Sequence, residues 1–546
     1  MSVFTRGILA AAASSPRCLT AVAGPDPTRL TWREVHERAV PMVAALAERG
    51  VGRHGSVAVL AADPAEVAPL AQAVWLRRAA LTMLQQPTPR VDLEVWLADT
   101  VRAIRTINAD LVVLGEPFTM AHNQLSAHDL DVCDIESLCS TTVIADDGVD
   151  HADEADLAIR QLTSGSTGQP KAVEISHGNL AANAVAQRDA LDLDLDTDVM
   201  LSWLPLSHDM GMIAFVCFPM QMGIESVVVT PEHFLRRPII WAELISRYRA
   251  TITSGPNFAY SVLTRVLRRA DPTGIDLSSL RVAVNGAEPV NHHDIAEFAA
   301  VGARFGLQPT ALMPGYGLAE ATLVVSLGSP HEPPAVDTVS RQALIQDHRA
   351  QPVADTSQDV RHIVCSGRPV PGMRVRITRD GNTLAPREIG AIELRGPAVA
   401  RSYLTTDGVV PLANDRGWFD TGDLGYLDED GRVYVCGRSK DLIVVAGRNL
   451  YPHDIERAAE NVEGVRKGCV IALRVDADHE GFAVLAEVHD PDDEDARRRI
   501  GREITARVSR HVGHLPSEVR LFPRGTLPKT PSGKLRRDRA RDLLHI

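Results

Sequence analysis

The chain has 546 residues, which is too long for one ordinary hydrophobic core, so at least two domains are expected. Apolar residues make up 45% and charged residues 23%, as in a typical globular protein, and the net charge of −13 argues against sequence-independent binding to nucleic acid. No apolar run approaches the roughly 20 residues of a membrane helix, and the seven cysteines form no CxxC pair. We therefore expect a reduced, cytoplasmic protein with no integral membrane segment, no structural zinc and no nucleic-acid partner.

The first three-quarters of the chain alternate apolar runs with amphipathic stretches. The stretch GILAAAA (7–13) predicts a first helix, and Leu70–Leu81 and Pro238–Tyr248 predict two more. Short apolar runs predict buried strands at 56–60, 111–114, 199–204, 226–230 and 281–285. Buried strands that alternate with helices predict parallel α/β layers.

Two segments interrupt this pattern, and the character of the chain changes beyond residue 420. Residues 144–156 form an acidic linker, and 329–364, rich in Pro, Asp, Gln and His, indicate an inserted surface segment with little strand or helix signal. Residues 426–441 predict a hairpin that turns at Asp430–Gly431. Further strands are predicted at 442–446, 469–475, 482–488 and 518–522. Two helices are predicted, one that begins near Pro452 and one at 494–513. We predict a large domain, 1–440, and a small α+β domain, 441–546, that meet at Lys440–Asp441.

The stretch LTSGSTGQPKAV (162–173) has the composition of a phosphate-binding loop. A Walker P-loop requires G-x-x-x-x-G-K-[ST], but here Pro170 precedes Lys171 and Ala172 follows it, so the spacing and the magnesium-binding hydroxyl are both missing. A loop of threonine, serine and glycine remains, whose amides and hydroxyls can wrap a polyphosphate. A turn of the same composition without a ligand is the alternative.

Further motifs follow this loop along the chain. In order, the motifs are TSGSTGQPK (163–171), LPLSHDMG (204–211), NGAEPV (285–290), PGYGLAEAT (314–322), FDTGDLGYL (419–427), GRSKDLIVVAGRNLYPHDIE (437–456) and LPKTPSGKLRR (527–537). Together they resemble the acyl-adenylate-forming superfamily, which includes acyl-CoA synthetases, luciferases and the adenylation domains of nonribosomal peptide synthetases. The resemblance spans nearly the whole chain.

In detail the sequence resembles the fatty acyl-AMP ligases, which pass acyl groups to carrier proteins. WLPLSHDMGMI (203–213) follows their pattern, except that Ser207 stands where tyrosine is more usual. GPNFAY (255–260) and the insertion at 329–364 are also of this type, and the likeness extends to the ligases that supply the lipid tail of mycobactin-type siderophores. The resemblance implies an α/β fold, with a large N-terminal adenylate-forming domain of layered sheets and helices and a small, mobile α+β C-terminal domain.

The resemblance also implies ATP and Mg²⁺ as cofactors and assigns residues to them. Those that would hold the β- and γ-phosphates are Thr163, Ser164, Gly165, Ser166, Thr167, Gly168 and Lys171. Glu320 would hold the metal, since a hard cation prefers oxygen ligands, unless it is an exposed helix glutamate. Around the rest of the nucleotide would lie Gly286, Ala287, Tyr316 (on the adenine), Gly317, Thr322 (at the α-phosphate), Asp423 (on the ribose hydroxyls) and Arg438 (supporting the same ribose). A buried core tyrosine and an Asp423 that caps a turn are the alternatives.

The remaining assignments concern catalysis, the acyl chain and the hinge. Lys534 would bridge the substrate carboxylate and the α-phosphate, unless it is a surface lysine of a basic tail. His208 would lie where the acyl tunnel meets the phosphates, as a gate or binding residue and not as a base. Asp441 would be the hinge between the domains. Tunnel candidates, which equally suit plain core, are Met210, Met212, Ile213, Phe258 and Tyr260.

The predicted activity is ATP-dependent formation of a fatty acyl-adenylate, followed by transfer of the acyl group to the phosphopantetheine of an acyl carrier protein. Carrier proteins are generally acidic, so the basic residues between 524 and 541 suit a docking face, although a solvated helix would look the same. The second hypothesis is an acyl-CoA synthetase of the same fold. Arg448–Asn449 after Gly447 argues against it and favours the carrier-protein branch. The third hypothesis is a binding protein that retains adenylate, and the presence of Glu320, Asp423 and Lys534 argues against it.

Overall fold

The computed structural model describes residues 1–24, 26–87, 92–139, 151–164, 170–357, 359–445, 448–475, 481–529 and 533–544. The contacts divide the chain into two compact units. The first unit comprises Met1–Pro334, Ser366–Arg374 and Leu394–Phe419, and the second comprises Ala335–Cys365, Val375–Glu393 and Asp420–Ile546. This division does not measure mobility, so the domain boundary at Lys440–Asp441 and the hinge at Asp441 both stay predictions.

One sheet of the first unit has nine strands and is parallel at its centre. In spatial order its parallel strands are Cys18–Val22, Glu225–Val229, Val199–Ser202, Ile252–Gly255, Val282–Asn285 and Leu312–Gly317. The antiparallel strands at its edges are Thr28–Thr31, Val324–Leu327 and Arg368–Pro369. The parallel strands are almost wholly buried, as the apolar runs of the sequence predict.

The other sheet of the first unit has eight strands and changes from parallel to antiparallel. Its parallel strands, in spatial order, are Val132–Asp134, Leu111–Leu114, Ser56–Leu60, Ala80–Met83 and Leu157–Ser164. Its antiparallel strands are Pro170–Ser176, Ser402–Thr405 and Gly408–Pro411. The antiparallel part brings the predicted phosphate-binding segment beside a strand from much later in the chain.

Helices connect these strands, and local capping sets where several of them begin. The α-helices of this unit with at least nine residues are Val3–Ser14, Trp32–Glu48, Pro64–Leu76, Leu93–Thr106, His177–Ala190, Ile240–Tyr248, Asn257–Leu267 and His292–Gly302. Shorter ones are His122–Ser126, Ile135–Cys139, Asp209–Met212, Phe218–Met222 and Pro231–Arg236, and a π-helical turn, Ile213–Cys217, lies between two of them. Thr31 and Glu34 form a capping box that begins one helix, and Ser176 with Asn179 begins another. No helix among the described residues is both long and apolar enough to cross a membrane.

The helix predicted at Leu70–Leu81 is displaced and is therefore wrong in its bounds. The helix is Pro64–Leu76, and residues 80–83 form a strand. The Asp63 side chain accepts a hydrogen bond from the Ala65 amide at 2.8 Å and sets the start of the helix. Arg78 has φ of 59°, which ends the helical conformation before the strand. The helix is buried except at Glu66, and the strand is buried throughout, so the apolar pattern continues across the boundary.

The second unit contains most of a five-stranded sheet and a compact C-terminal α+β core. The sheet, in spatial order, is Asn382–Thr383, Arg374–Arg379, Gly390–Arg395, Phe419–Leu427 and Val433–Arg438. The C-terminal strands are Ile443–Val445, Arg448–Leu450, Val465–Arg474, Phe482–Val488 and Glu518–Phe522. The helices here are Pro452–Glu460, Glu494–Val512 and Arg537–Ala540. The predicted hairpin and the order of the elements that follow it are confirmed.

The predicted inserted segment is ordered, so the expectation that it carries little strand or helix is wrong. Val336–Ser340 pairs antiparallel with Val360–Val364, and the helix Arg341–Gln346 follows the first of these strands. The Ser340 side chain accepts from the Ala343 amide at 3.1 Å and caps this helix. Regular structure arises here because two short strands pair across the stretch that contains this helix, and pairing of distant strands leaves little trace in local composition.

Candidate active site

The predicted phosphate-binding loop joins two antiparallel strands. Leu157–Ser164 and Pro170–Ser176 form a hairpin that places Thr163 opposite Lys171. A Walker loop leads from a strand into a helix, so this hairpin is a different structure, as the spacing of the motif predicts. Outside the described residues lie Gly165, Ser166, Thr167 and Gly168, together with the side chain of Ser164.

The hydroxyl of Thr163 is buried and has no hydrogen-bond partner among the described residues. A buried polar group left without a partner costs roughly 1–3 kcal/mol, so such groups in folded proteins call for an explanation. This hydroxyl stands where the chain enters the predicted loop. It is a donor that a phosphate oxygen can satisfy.

Lys171, Glu320 and Tyr403 form a charged cluster in the first unit. The Lys171 Nζ atom lies 3.8 Å from Glu320 Oε1 and 3.4 Å from the centroid of the Tyr403 ring. The Tyr403 hydroxyl donates to the same Glu320 Oε1 at 2.5 Å. The structure therefore brings together the two predicted groups for phosphate and metal, and adds a tyrosine to them.

The turn that carries Glu320 is tied to the chain near residue 400. The Ala400 amide donates to the Glu320 carbonyl at 2.8 Å, and the Thr322 hydroxyl donates to the Ala398 carbonyl at 2.6 Å. Thr322 is fully buried and adopts φ of 66°. A buried hydroxyl that already bonds to a carbonyl holds the turn in place, so the predicted contact of Thr322 with the α-phosphate is not supported.

Four predicted nucleotide-binding residues, of which Tyr316 was assigned to the adenine, lie at the carboxyl ends of two neighbouring parallel strands, Val282–Asn285 and Leu312–Gly317. A Cβ atom on Gly286 would meet the Gly315 carbonyl oxygen at 2.7 Å, and one on Gly317 would meet the Leu323 carbonyl oxygen at 2.0 Å. Backbone segments therefore approach closely at this edge, where α/β sheets bind nucleotides. Predicted residues placed here are Gly286, Ala287, which is exposed, Gly317 and half-buried Tyr316.

The predicted tunnel residues fall into two groups. Met210 and Met212 are buried in the short helix Asp209–Met212. Tyr260 belongs to an aromatic core: its ring lies 5.1 Å from that of Trp241, and its hydroxyl donates to the Val284 carbonyl at 2.9 Å. The Phe258 ring packs edge-on at 6.4 Å from Trp203, another member of that core. Tyr260 thus has the plain-core role that stood as the alternative.

His208 caps the short helix that carries the two methionines. Its Nδ1 atom lies 2.6 Å from Asp209 Oδ1, and the Met210 amide donates to the same carboxylate oxygen at 2.7 Å. The Met210 amide also donates to His208 Nδ1 at 3.2 Å, which is the contact that caps the helix. The pairing orients the imidazole ring, which suits a binding residue.

Asp423 and Arg438, the predicted ribose-binding residues, face each other on the second unit's hairpin. The Arg438 Nε atom lies 3.0 Å from Asp423 Oδ1. The Asp423 side chain is almost wholly buried, whereas 51% of the Arg438 side chain is exposed. The arginine therefore holds the carboxylate in a fixed orientation while reaching solvent itself.

Asp441 and Lys534 also belong to the second unit. Asp441 lies 4.0 Å from Arg537, whose guanidinium donates to both carboxylate oxygens of Glu456 at 2.6 Å. Burial acts to raise the pKa of Glu456, but the positive charge of Arg537, the contact with His453 and the Ala472 amide together outweigh burial and hold that pKa below its ordinary value. Lys534 is half-buried and precedes Leu535, which forms an antiparallel bridge with Lys529.

The sequence profile described as "AMP-binding enzyme" matches residues 9–404 of the chain. The chain belongs to this family of AMP-binding, adenylate-forming ligases. This AMP-binding ligase is 47% identical over 515 residues to the protein named "Putative ligase Rv1013" of Mycobacterium tuberculosis, with 94% of each chain covered. It is 35% identical over 402 residues to the medium-chain-fatty-acid–[acyl-carrier-protein] ligase JamA of Moorena producens, with 70% of this chain and 67% of JamA covered.

The fold of this AMP-binding ligase matches that of solved relatives. A structure from work on the fatty acyl-adenylate ligases of E. coli and L. pneumophila superposes with a TM-score of 0.91 at 28% identity, and the match covers 100% of this chain and 98% of that one. The α/β fold with a large N-terminal part and a small α+β C-terminal part is thereby confirmed.

The residues present are chemically suited to a nucleotide and to a metal ion that accompanies its phosphates. Among the described residues, no group of three or more His, Cys, Asp or Glu side chains could hold a metal by itself. Mg²⁺ commonly binds through one or two carboxylates together with substrate phosphates and water. Glu320, a carboxylate beside the phosphate hairpin, therefore suits a metal that arrives with ATP.

Sequence reasoning missed Tyr403. Its strand, Ser402–Thr405, pairs antiparallel with Pro170–Ser176, and Tyr403 stands opposite Val173. A single tyrosine in a short strand has no signature of its own, and only long-range pairing brings it beside Lys171. The segment RGPAVARSY (395–403), which lies outside the motifs that pointed to the site, is the place where a search could have begun.

Proposed function

We propose that this adenylate-forming ligase activates a medium- or long-chain fatty acid with ATP and then transfers the acyl group to the phosphopantetheine thiol of an acyl carrier protein. The observation that carries the adenylation step is the Lys171–Glu320–Tyr403 cluster beside the phosphate hairpin. The fatty acid and the carrier protein are supported by likeness to JamA and to a solved fatty acyl-adenylate ligase.

In the proposed first step, an oxygen of the fatty acid carboxylate attacks the α-phosphorus of ATP. A bond forms between that oxygen and phosphorus, the bond to the bridging oxygen of the β-phosphate breaks, and pyrophosphate leaves. The carboxylate, whose own leaving group would be oxide, becomes an anhydride with the good leaving group AMP. No protein nucleophile is required, so the chain's task is to position the reactants and to neutralise charge.

Each group of residues has a part in this step. The hairpin, through Thr163 and Lys171, would bind the phosphates that leave. Mg²⁺, when bound at Glu320, would neutralise charge on the phosphate oxygens. Asp423 and Arg438 would hold the ribose, and Lys534 would neutralise charge that develops on the reacting oxygens.

In the proposed second step, the thiol of the phosphopantetheine arm attacks the carbonyl carbon of the acyl-adenylate. A thioester bond forms, AMP leaves, and the thiol proton passes to solvent or to AMP. Use of the product in siderophore or other lipid biosynthesis, and a cytoplasmic location, stay predictions from the likeness of the sequence.

Pyrophosphate exchange with fatty acids of graded length tests the first step. We expect the rate of exchange to rise with the length of the fatty acid up to an optimum. Each methylene of the fatty acid that becomes buried should strengthen its binding by about 0.8 kcal/mol. No exchange with any fatty acid would favour a binding protein that retains adenylate.

The second step is tested by supplying the acyl-adenylate with either CoA or a phosphopantetheinylated carrier protein. We expect thioester on the carrier protein and little acyl-CoA. Rapid formation of acyl-CoA without a carrier protein would instead identify an acyl-CoA synthetase.

A further inference from the structure

The Tyr403 side chain makes two different contacts with two charged groups. Its hydroxyl donates to Glu320 Oε1 at 2.5 Å, and its ring face supports the Lys171 ammonium group at 3.4 Å from the centroid. Lys171 and Glu320 are themselves 3.8 Å apart. One aromatic side chain therefore sets the distance between the cation and the carboxylate.

The backbone around Tyr403 is fixed on both sides. Tyr403 and Leu404 pair with Val173 and Ala172 of the phosphate hairpin, and both Leu404 and Ala172 are buried. The same stretch of chain accepts the Thr322 hydroxyl at the Ala398 carbonyl, and its Ala400 amide donates to the Glu320 carbonyl. Residues 398–405 thus connect the strand that carries Lys171 with the turn that carries Glu320.

The side-chain exposures show which parts of the cluster can reach a ligand. The Lys171 side chain is 27% exposed and that of Glu320 is 14% exposed. Among the described residues, the hydrogen bond and the ion pair both fall on Oε1, so Oε2 of the carboxylate takes part in neither and can face a metal ion. A carboxylate that is fixed through one oxygen presents the other oxygen in a defined direction. Residues that hydrogen-bond to metal ligands commonly orient those ligands in this way.

We propose that Tyr403 is a positioning residue that aligns the Glu320 carboxylate for the metal ion and the Lys171 ammonium for the phosphates. The inference rests on the proposed function only in that ATP and its metal ion bind at this cluster. The hydroxyl acts on Glu320, and the ring acts on Lys171. The two actions are separable by substitution, because phenylalanine keeps the ring and leucine keeps neither.

The test measures binding directly. Mn²⁺ is titrated into the full-length protein with a non-hydrolysable ATP analogue, and free Mn²⁺ is followed by electron paramagnetic resonance. For Tyr403→Phe we expect about 10-fold to 100-fold weaker Mn²⁺ binding, the range for loss of a hydrogen bond to a charged group, with analogue affinity in the absence of metal changed by less than about threefold. For Tyr403→Leu we expect the metal-free affinity to fall as well, because the Lys171 ammonium loses its cation–π partner.

Tyr426→Phe is a matched control, since the Tyr426 hydroxyl donates to an Asp337 carboxylate oxygen at 2.6 Å within the second unit. It removes the same kind of bond, and we expect Mn²⁺ affinity to stay within about twofold of wild type. Thermal unfolding of each variant confirms that the protein assayed is folded.

Unchanged Mn²⁺ affinity in folded Tyr403→Phe, or an equal loss in Tyr426→Phe, would overturn the inference. If the expected metal effect appears but no fatty acid supports pyrophosphate exchange, the proposed function fails and the role of Tyr403 stands. If exchange with fatty acids is normal and Tyr403→Phe binds metal normally, the role of Tyr403 fails alone. A wild-type protein that binds no metal–nucleotide complex would overturn both.

Discussion

Two ion pairs among the candidate site residues are built in opposite ways. Asp423 and Arg438 face each other on adjacent strands of one hairpin, so a single turn of the chain brings them together. Lys171 and Glu320 come from distant segments and meet only where Tyr403, from a third segment, joins them. The difference teaches that a local pair depends on the register of its hairpin, whereas a distant pair depends on the packing of the whole unit.

The largest effect is expected from Lys534, which belongs to neither ion pair. Lys534→Ala should reduce fatty-acid-dependent pyrophosphate exchange on the order of 10²–10³-fold, because a cation at the developing charge would be lost. Lys529→Ala, five residues upstream in the same motif, is the control and should retain most of the activity. Equal losses in both variants would indicate a general disturbance of this segment. They would give no support to a catalytic role for Lys534 beside the two ion pairs.

Glu320→Gln tests the distant pair. The amide keeps an acceptor for the Tyr403 hydroxyl but loses the charge that Lys171 and the metal share, so exchange should fall by about 10-fold to 100-fold and recover in part at high Mg²⁺. Glu232→Gln, a change in an exposed pair with Arg236, should leave exchange unaltered. A loss that does not respond to Mg²⁺ would count against Glu320 as the metal ligand.

A double-mutant cycle on Asp423 and Arg438 tests the local pair. Because half of the arginine side chain is exposed, the coupling in the free energy of unfolding should not exceed about 1 kcal/mol. Asp423→Asn should still weaken binding of an ATP analogue by about tenfold, since charged hydrogen bonds to the ribose would be lost. Strong coupling in stability together with unchanged nucleotide affinity would show a structural pair instead.

The smallest effect concerns Glu66, a half-buried carboxylate. Burial, helped by the negative charges of Asp63, Glu116 and Glu136, raises its pKa to about 7 from 4.5. The folded protein therefore holds the proton more tightly than the unfolded chain does. The resulting stability is present below pH 4.5 and is lost as the pH rises through about 7.

Glu66→Gln should remove this loss and raise the free energy of unfolding at pH 8 by about 1–2 kcal/mol, a value reduced for solvent screening. Chemical denaturation at several pH values measures it, with exposed Glu37→Gln as the control. If the stability of the variant falls with pH as steeply as that of wild type, Glu66 ionises normally. Glu66 would then not differ from Glu320 and Asp423, the carboxylates of the two ion pairs.

The sequence predicted much of the fold, because many of its signals are local. The strands at 56–60 and 111–114 agree residue for residue with the structure, and the C-terminal elements follow in the predicted order. The helix at Pro64–Leu76 was displaced in the prediction because the apolar pattern continues into the next strand. The inserted segment was underestimated because its two strands pair across a stretch that contains a helix.

The residues of the candidate site also fall into those that local motifs identified and those that depend on distant contacts. Motifs identified Lys171, Glu320 and the Asp423–Arg438 pair, since their residue types suit phosphate, metal and ribose. They did not identify Tyr403, and they assigned Thr322 to a phosphate although its buried hydroxyl bonds to the Ala398 carbonyl. Whether a hydroxyl faces a ligand or a backbone carbonyl depends on neighbours far away in the chain.

The sequence by itself determined the family, the order of the elements and the chemical types of the site residues, because periodicity, turn residues and motif spacing are properties of short stretches. Only the tertiary structure decided which side chains share a location. Strand pairing between residues 170–176 and 402–405 places an unremarked tyrosine against a lysine and a glutamate. That arrangement depends on the register of two distant strands, which is set by the burial of residues such as Ala172 and Leu404 and not by any local pattern.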